Sequence, residues 1–326
     1  MSNNILSVKN LTVKYISREI GVCHAVNDVS FDVQKGETLG LVGETGAGKT
    51  TIALGIMRIL QMPPARVVSG EILLDDEDLL HVPDARMRSI RGGRVSMIFQ
   101  DPMTALNPID RIGGQISEMV RLHLNLDKAQ SVAKAMEMLE MVGIPGARFD
   151  DYPHQFSGGM KQRVIIAIAL ACKPELLLAD EPTTALDVTI QAQVLNMMNE
   201  LKTDLGTSMV LITHDLGVVA ETCDRVAVIY AGEIVEIGAA DAVFEKRSHP
   251  YTTGLFNSLP DITGGRKRLI PIAGLMPDPT ALPEGCKFSP RCHLADESCT
   301  QGPVALGLES GTHFVRCLKA SKNQGV

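Results

Sequence analysis

The segment Thr38-Leu-Gly-Leu-Val-Gly-Glu-Thr-Gly-Ala-Gly-Lys-Thr50 combines a short apolar run with a glycine-rich turn. From Gly43 onward it fits the pattern G-x-x-x-x-G-K-[ST], which binds phosphate when it follows a strand and opens a helix. Glycines let consecutive backbone N–H groups face phosphate oxygens, and the first turn of the helix adds its positive dipole end. Lys49 is predicted to bind the β- and γ-phosphates, and the Thr50 hydroxyl to bind Mg²⁺.

The surrounding sequence predicts a parallel sheet with crossover helices. Two further buried-type strands are predicted at 176–179 and 209–213, with a helical stretch over 189–205 between them. Strands that alternate with helices in this way are typical of an α/β fold. Before the glycine-rich turn, residues 5–15 and 29–33 alternate apolar and polar positions, which predicts an antiparallel β segment with one solvated face.

A helical insertion and a loop-rich end complete the predicted organisation. Apolar residues recur at helical spacing between about 101 and 173, which predicts a helical subdomain inserted into the sheet domain. After Tyr251 proline and glycine become dense, which predicts a boundary near residue 255. The predicted fold is therefore an α/β P-loop core over 1–255, with an antiparallel β subdomain and the helical insertion. A small cysteine-rich appendage covers 256–326.

Composition and charge exclude some classes of protein. The chain has 326 residues and a net charge of −7, and an acidic total disfavours nucleic-acid binding, which needs a basic face. The longest apolar run, Val164 to Cys172, is far shorter than the ~20 residues of a membrane-spanning helix. The N-terminus lacks the pattern of a secretory signal. We therefore expect a cytoplasmic protein that reaches a membrane only by docking on another protein.

Two further motifs follow the glycine-rich turn. The apolar run Leu176-Leu-Leu-Ala179 ends in Asp180 and Glu181. Alone, such an acidic pair is more often a solvated loop or a helix cap. Beside a phosphate-binding loop, Asp180 is predicted to hold Mg²⁺ and Glu181 to orient or deprotonate the attacking water. In Phe156-Ser-Gly-Gly-Met160, Ser157 can cap the next helix, and a simple turn and an anion site fit this loop equally well.

Together these segments resemble the ABC ATPase family, in the family's order, over nearly all of residues 5–255. The resemblance implies that Tyr15 stacks on adenine and that Gln100 is the Q-loop residue, which links Mg²⁺ to the transporter contact. Residues 157–160 resemble the signature loop LSGGQ, with Phe156 and Met160 in place of its Leu and Gln. Asp187 resembles the D-loop residue, and His214 the switch histidine that contacts the γ-phosphate.

The predicted site residues follow from the motifs and the resemblance. Those predicted to catalyse hydrolysis are Glu181, His214 and Gln100. Those predicted to hold Mg²⁺ are Thr50, Gln100 and Asp180. Those predicted to bind ATP are Tyr15, Gly43, Glu44, Thr45, Gly46, Ala47, Gly48, Lys49, Thr50, Thr51, Gln100, Asp180, Ser157, Gly158, Gly159 and Asp187.

Four of the seven cysteines crowd the C-terminal end. Cys286, Cys292, Cys299 and Cys317 have the spacing C-x5-C-x6-C-x17-C, which is not a common zinc-ribbon spacing. Four thiolates suit either a [4Fe–4S] cluster or zinc. From the thiols alone a cluster, zinc and no metal have equal support, and the nearby His293 and His313 leave a mixed zinc site open.

The C-terminal region resembles the dipeptide/oligopeptide importer branch of the ABC ATPases. The resemblance rests on His249-Pro-Tyr-Thr-Thr-Gly-Leu255, on Gly285-Cys-Lys-Phe-Ser-Pro-Arg-Cys292 and on the cysteine spacing. It implies a [4Fe–4S] cluster, most simply a structural staple. It also implies an ATPase on the cytoplasmic face of the cell membrane, with two transmembrane permease subunits, a second ATPase subunit and an extracytoplasmic substrate-binding protein as partners.

The resemblance also implies a mechanism in which two ATPase domains meet head to tail and enclose ATP. Three alternatives remain from the sequence. One is an importer of nickel or another small solute within the same branch. The second is a soluble ABC ATPase that acts on nucleic acid, which the single P-loop disfavours. The third is a regulatory ATP-binding module, which the intact Asp180, Glu181 and His214 disfavour.

Overall fold

The structure is a computed structural model that describes residues 3–19, 21–101, 105–184, 186–258 and 271–320, apart from the side chain of Val188. The chain divides into two compact units. The first unit consists of Met1–Leu6, Asp32–Thr38 and Leu73–Ile212, and the second of Ser7–Phe31, Leu39–Ile72 and Thr213–Val326.

The strands and helices of the described residues follow in chain order. The strands are β1 (Asn4–Ser17), β2 (Gly21–Gln34), β3 (Thr38–Val42), β4 (Ala65–Leu74), β5 (Glu77–Asp78), β6 (Val95–Ile98), β7 (Leu176–Asp180), β8 (Ser208–Ile212), β9 (Arg225–Tyr230), β10 (Glu233–Ala239), β11 (Gly307–Ser310) and β12 (His313–Val315). The α-helices are α1 (Lys49–Ile56), α2 (Asp84–Ile90), α3 (Ile112–Leu124), α4 (Lys128–Met141), α5 (Gly158–Leu170), α6 (Val188–Leu205), α7 (Leu216–Thr222), α8 (Ala240–Glu245) and α9 (Pro250–Asn257).

In the first unit, β8, β7 and β6 lie side by side and run parallel. All the residues of these three strands are buried, as the apolar sequence runs predicted for β7 and β8. Helices α3, α4 and α5 follow β6 in the chain, where the helical subdomain was predicted. Their buried faces include Ile116 and Val120 from α3 and Met138 and Leu139 from α4.

Three apolar residues within the predicted helical stripe are exposed instead. Leu122 is 64%, Leu124 is 40% and Met136 is 37% exposed. Leu122 follows the buried Val120 by two positions, which places it about 200° further around α3 and therefore on the opposite face. The prediction extended the apolar stripe beyond the positions that the 3.6-residue period puts on one side.

In the second unit, the strand order is β11-β12-β10-β9-β3. Strand β3 runs parallel to β9, and β10 pairs with both β9 and β12 in antiparallel register. The strands β11 and β12 form a hairpin within the segment that was predicted to be loop-rich. The C-terminal segment therefore adds two strands to the β9–β10 edge, which the sequence analysis missed.

The antiparallel segment predicted near the N-terminus is a four-stranded sheet of order β2-β1-β4-β5. Strand β2 starts at Gly21, well before the predicted 29–33. Among the residues that the structure describes, none of the helices is long and apolar enough to cross a membrane.

Candidate functional site

The loop between β3 and α1 has the backbone conformation of a phosphate-binding loop. Gly48, which precedes α1, has φ of 105°, and a β-carbon there would lie 2.4 Å from the carbonyl oxygen of Ala25. A β-carbon on Gly43 would lie 2.2 Å from the carbonyl oxygen of Ile229. Glycine is therefore required at both motif positions, because any side chain would collide with a neighbouring backbone.

Lys49 places its ammonium group inside this loop. Its Nζ donates hydrogen bonds to the carbonyl oxygens of Gly43, at 2.7 Å, and Glu44, at 3.0 Å. The first turn of α1 receives no hydrogen bond from a capping side chain. A cation and uncapped N–H groups at one helix terminus favour an anion such as a phosphate. Tyr15 lies beside the same helix, with its hydroxyl 3.3 Å from Oγ1 of Thr51.

In the first unit, the carboxyl end of β7 carries the two predicted acidic residues. Asp180 is only 2% exposed. The Glu181 N–H donates to the carbonyl oxygen of Ile212 at 2.8 Å. Its carboxylate oxygen Oε2 accepts from the Gln100 amide and from the Thr184 hydroxyl, both at 2.9 Å. The structure thus joins Gln100 to Glu181, a contact that the sequence did not predict.

The Ser157 loop and the start of α6 lie close together in the same unit. Ser157 caps α5, as predicted, by accepting from the Met160 N–H at 3.3 Å. Asp187 caps α6 by accepting from the Ile190 N–H at 3.0 Å. A β-carbon on Gly159 would lie 2.8 Å from the Ile190 side chain. Ser157 and Gly158 are exposed, so this glycine-containing helix start is open to a partner.

His214 lies in the second unit, between β8 and α7. Its side chain is exposed. The next residue, Asp215, caps α7 by accepting from the N–H groups of Gly217 and Val218. His214 is therefore presented on a turn whose end is fixed by a helix cap. Tyr15, Lys49 and His214 belong to the second unit, and Gln100, Asp180, Glu181, Ser157 and Asp187 to the first.

The four C-terminal cysteines border one cavity in the second unit. Cys286, Cys292, Cys299 and Cys317 line it together with His249. All four are free thiols. Burial raises the pKa of the Cys317 thiol to about 11, and the other three cysteines add to the rise. In the part of the chain that the structure describes, no three His, Cys, Asp or Glu side chains are placed to hold one metal ion.

His249, which borders the same cavity, carries a buried N–H group without a hydrogen-bond partner among the described residues. Its side chain is 1% exposed, and its Nδ1 accepts from the Tyr251 N–H at 3.0 Å. This bond fixes the proton of the neutral ring on Nε2. That nitrogen is buried and finds no hydrogen-bond partner among the described residues. Burial lowers the His249 pKa to about 4, so the ring is neutral near pH 7.

The histidines that left a mixed zinc site open do not line the cavity. His313 lies in β12 and hydrogen-bonds through Nε2 to Oε1 of Glu236, at 2.8 Å. Glu236 is fully buried, and its carboxylate also accepts from the N–H groups of Ser248 and His249. His313 therefore ties β12 to β10, and its Nε2 is engaged by Glu236.

One contact to the phosphate-binding loop was missed by sequence reasoning. The carboxylate of Glu44 accepts two hydrogen bonds from the Arg291 guanidinium, at 2.8 and 3.1 Å. Glu44 was predicted to act in the loop, but nothing in the sequence identified Arg291 as its partner, because the two are 247 positions apart.

Two family comparisons match separate parts of the chain. Residues 26–184 match the family described as "ABC transporter". Residues 235–299 match the family described as "Oligopeptide/dipeptide transporter, C-terminal region".

The chain is also similar to curated proteins over most of its length. It is 47% identical to the oligopeptide transport ATP-binding protein OppD of Haemophilus influenzae, over 92% of this chain and 93% of that protein. It is 47% identical to the dipeptide transport ATP-binding protein DppD of Bacillus subtilis, over 96% of this chain and 94% of that protein. Among solved structures it resembles the ABC cassette MJ0796, a dimer bound to ADP and Pi, with a TM-score of 0.65 and 26% identity over 72% of this chain and 98% of that one.

Proposed function

This chain belongs to the ABC transporter family, and we propose that it is the ATP-hydrolysing subunit of an importer of oligopeptides or dipeptides. The observation that carries the proposal is a phosphate-binding loop, with Lys49 inside it, in a chain whose residues 235–299 match a peptide-transporter C-terminal region. The curated relatives are named as ATP-binding proteins of oligopeptide and dipeptide transport.

The motif residues have separate roles in the proposed hydrolysis. Lys49 and the N–H groups at the start of α1 bind the phosphates of ATP, and Tyr15 stacks on the adenine. Thr50 and Asp180 carry the oxygen atoms that would hold Mg²⁺, and the ion would neutralise phosphate charge. Glu181 orients and deprotonates the attacking water. The hydrogen bond from Gln100 supports this role, because it helps to fix the orientation of the carboxylate.

We propose that the remaining site residues act in a dimer of ATPase subunits. His214 contacts the γ-phosphate, and Ser157 to Gly159 of one subunit bind the phosphates held by the other. The exposure of Ser157 and Gly158 supports this arrangement, as does the resemblance to a dimeric cassette. The dimer is proposed to dock on two permease subunits at the cytoplasmic face of the membrane, and a substrate-binding protein outside supplies the peptide.

We further propose that the four cysteines within residues 256–326 hold a [4Fe–4S] cluster, in a segment that joins the second unit through its strand β12. Four thiols around one cavity and the unpaired Nε2–H of His249 fit an anionic metal–sulfur group. A single tetrahedral zinc would hold its thiolates within about 4 Å of one another. Among the described residues no three such side chains are placed around one ion, whereas a [4Fe–4S] cluster would not need all four thiolates to meet at one metal. Cys286, Cys292, Cys299 and Cys317 would hold the cluster, and their loops would then be cross-linked.

The function is tested by reconstituting the chain with its permease subunits and binding protein in vesicles. We expect ATP-dependent uptake of a labelled dipeptide, and loss of both ATP binding and uptake in Lys49→Ala. Uptake of nickel without dipeptide uptake would replace the peptide assignment by the small-solute alternative. Hydrolysis that is stimulated by nucleic acid and unaffected by permeases would overturn the transport function itself.

The cluster is tested by anaerobic purification with iron, sulfide and zinc analysis. We expect about four irons and four sulfides per chain, lost in Cys292→Ser. Cys172→Ser is the matched control, because Cys172 is a buried cysteine of the first unit whose Sγ donates to the Met119 carbonyl oxygen. One zinc without sulfide would contradict the cluster and leave the ATPase assignment intact.

A further inference from the structure

Glu44 of the phosphate-binding loop is held at two points by residues from the C-terminal part of the chain. Its backbone N–H donates to the Tyr251 hydroxyl at 2.9 Å. Its carboxylate forms a two-pronged ion pair with Arg291, through the NH1 and NH2 nitrogens. Both the main chain and the side chain of this residue are therefore fixed from outside the loop.

The Arg291 side chain is itself held rigidly. It is 5% exposed, and it also donates to the Ala273 carbonyl oxygen, at 2.9 Å, and the Tyr230 hydroxyl, at 3.3 Å. Its guanidinium lies beside the rings of Tyr230 and Phe288. Burial acts to lower the Arg291 pKa, but the hydrogen bonds to Glu44 and Tyr230 outweigh it and raise the pKa. A fixed, charged fork of this kind gives strong and directional binding to a carboxylate.

Both groups that hold Glu44 are directly connected to the lining of the cysteine cavity. Arg291 is followed in the chain by Cys292. Tyr251 donates its N–H to Nδ1 of His249. Cys292 and His249 both line the cavity. Two short routes of bonded or adjacent residues therefore lead from the lining of the cavity to Glu44.

We propose that Arg291 and Tyr251 are positioning residues for nucleotide binding, through which the cysteine segment fixes the geometry of the phosphate-binding loop. The physical link is Lys49, whose ammonium donates to the Glu44 and Gly43 carbonyl oxygens. A displaced Glu44 therefore displaces the groups that orient the phosphate-binding cation. This inference rests on the proposed function, because it assumes that the loop binds ATP.

The test measures the affinity of the full-length chain for a fluorescent ATP analogue in the presence of Mg²⁺. KM and kcat for MgATP are measured as well. Arg291→Ala is expected to weaken binding about tenfold, since it removes a charge-assisted pair. We expect KM to rise by a similar factor while kcat changes little, because Arg291 acts on the loop and not on the reacting atoms. The nucleotide affinity of Arg291→Lys is expected to lie between those of the parent chain and Arg291→Ala, because a single ammonium group cannot replace the two-pronged guanidinium contact.

The matched control is Arg316→Ala. Arg316 lies in the same C-terminal segment and donates to the carbonyl oxygens of Ile234 and Val304, at 2.9 Å each. We expect its nucleotide affinity to stay within about twofold of the parent chain, a difference small against the tenfold loss expected for Arg291→Ala. An equal loss in both variants would overturn the proposal, since it would indicate only general loosening of the segment.

Two further variants keep the test valid if Arg291→Ala does not fold. Tyr251→Phe removes only the acceptor hydroxyl and is expected to weaken binding a few-fold. In a Glu44→Gln background, Arg291→Lys is expected to have little further effect, because both changes break the same pair. Parent-like affinity in both Tyr251→Phe and Arg291→Lys would overturn the proposal. Parent-like binding in Lys49→Ala would instead refute the ATP site on which it rests.

Discussion

The backbone of Glu181 adopts a left-handed conformation, with φ of 47°. For a residue other than glycine this conformation costs of order 1–3 kcal/mol and persists only where the surroundings fix it. The N–H of Glu181 donates to Ile212, and its carboxylate accepts from Gln100 and Thr184. The left-handed backbone and these bonds together hold the carboxylate in one orientation at the carboxyl end of β7.

We predict that Glu181→Gln retains ATP binding but loses hydrolysis by at least about 10²-fold, the lower range for removing a general base. Glutamine has the same shape, and its oxygen still accepts from Gln100 and Thr184, so the fold is preserved. The measurement is single-turnover hydrolysis beside nucleotide affinity. Glu175→Gln is the matched control, since Glu175 precedes β7 and pairs with Arg94. Undiminished hydrolysis in Glu181→Gln would refute the assigned base.

The buried His249 predicts a loss of stability in acid. Its folded pKa of about 4 lies below the usual 6.5, so between these values the unfolded chain binds more protons and stability falls as pH falls. The expected contribution is about 3 kcal/mol between pH 7 and pH 4. His249→Asn should reduce this slope, because asparagine can still cap α9 but does not titrate. Urea unfolding of the parent chain and of His249→Asn over this pH range measures the free energy of unfolding at each pH. Identical pH slopes for the two chains would contradict the role given to His249.

At the scale of elements, a buried carboxylate connects the C-terminal hairpin to the sheet. Glu236 of β10 accepts from the N–H groups of Ser248 and His249 and from the His313 ring of β12. These bonds compensate for a carboxylate that is fully buried. Removing one acceptor would leave a buried donor without a partner, which costs about 1–3 kcal/mol.

We therefore predict that Glu236→Gln loosens β12 more than it loosens β9. The amide presents an NH₂ group where the carboxylate accepted hydrogen bonds, so at least one buried donor loses its partner. Amide hydrogen exchange should accelerate at 313–315 while 225–230 stays protected. The control is Glu233→Gln. In the parent chain the Glu233 carboxylate lies 3.9 Å from the Lys287 ammonium. Equal exchange in β12 of the parent chain and Glu236→Gln would contradict the role given to Glu236.

Elements with a strong local pattern could be predicted, and elements that depend on distant partners could not. The fully buried strands β7 and β8 and the start of α1 at Lys49 were predicted within one residue. Strand β12 is three residues long, with no clear alternation, and exists because it pairs with β10. Its hydrogen-bonded link to Glu236 crosses 77 positions, a distance over which no sequence pattern carries information.

At the scale of the whole molecule, the nucleotide motifs could be found from the sequence because each is a short, contiguous pattern. The family assignment that they suggested is confirmed by the relatives named as transport ATP-binding proteins. The link between Glu44 and Arg291 could not be found, because it depends on how a segment 247 positions away folds over the loop. The metal at the cysteines also stays a prediction, since a spacing alone does not fix where four thiols lie.

With MgATP, the full-length Glu181→Gln chain is expected to associate into a dimer, because ATP that is bound but not hydrolysed keeps two subunits together.

Ser157 is exposed and caps α5. Two substitutions at this position can therefore distinguish the loss of the helix cap from the effect of an added negative charge. Aspartate and asparagine are both good caps, but an aspartate would repel the γ-phosphate bound by the partner. In the Glu181→Gln background, Ser157→Asp should therefore stay monomeric and Ser157→Asn should associate, as measured by light scattering with and without MgATP. Equal association of both would contradict phosphate contact by this loop, whereas a monomer in every case would show that the partner is a different ATPase chain.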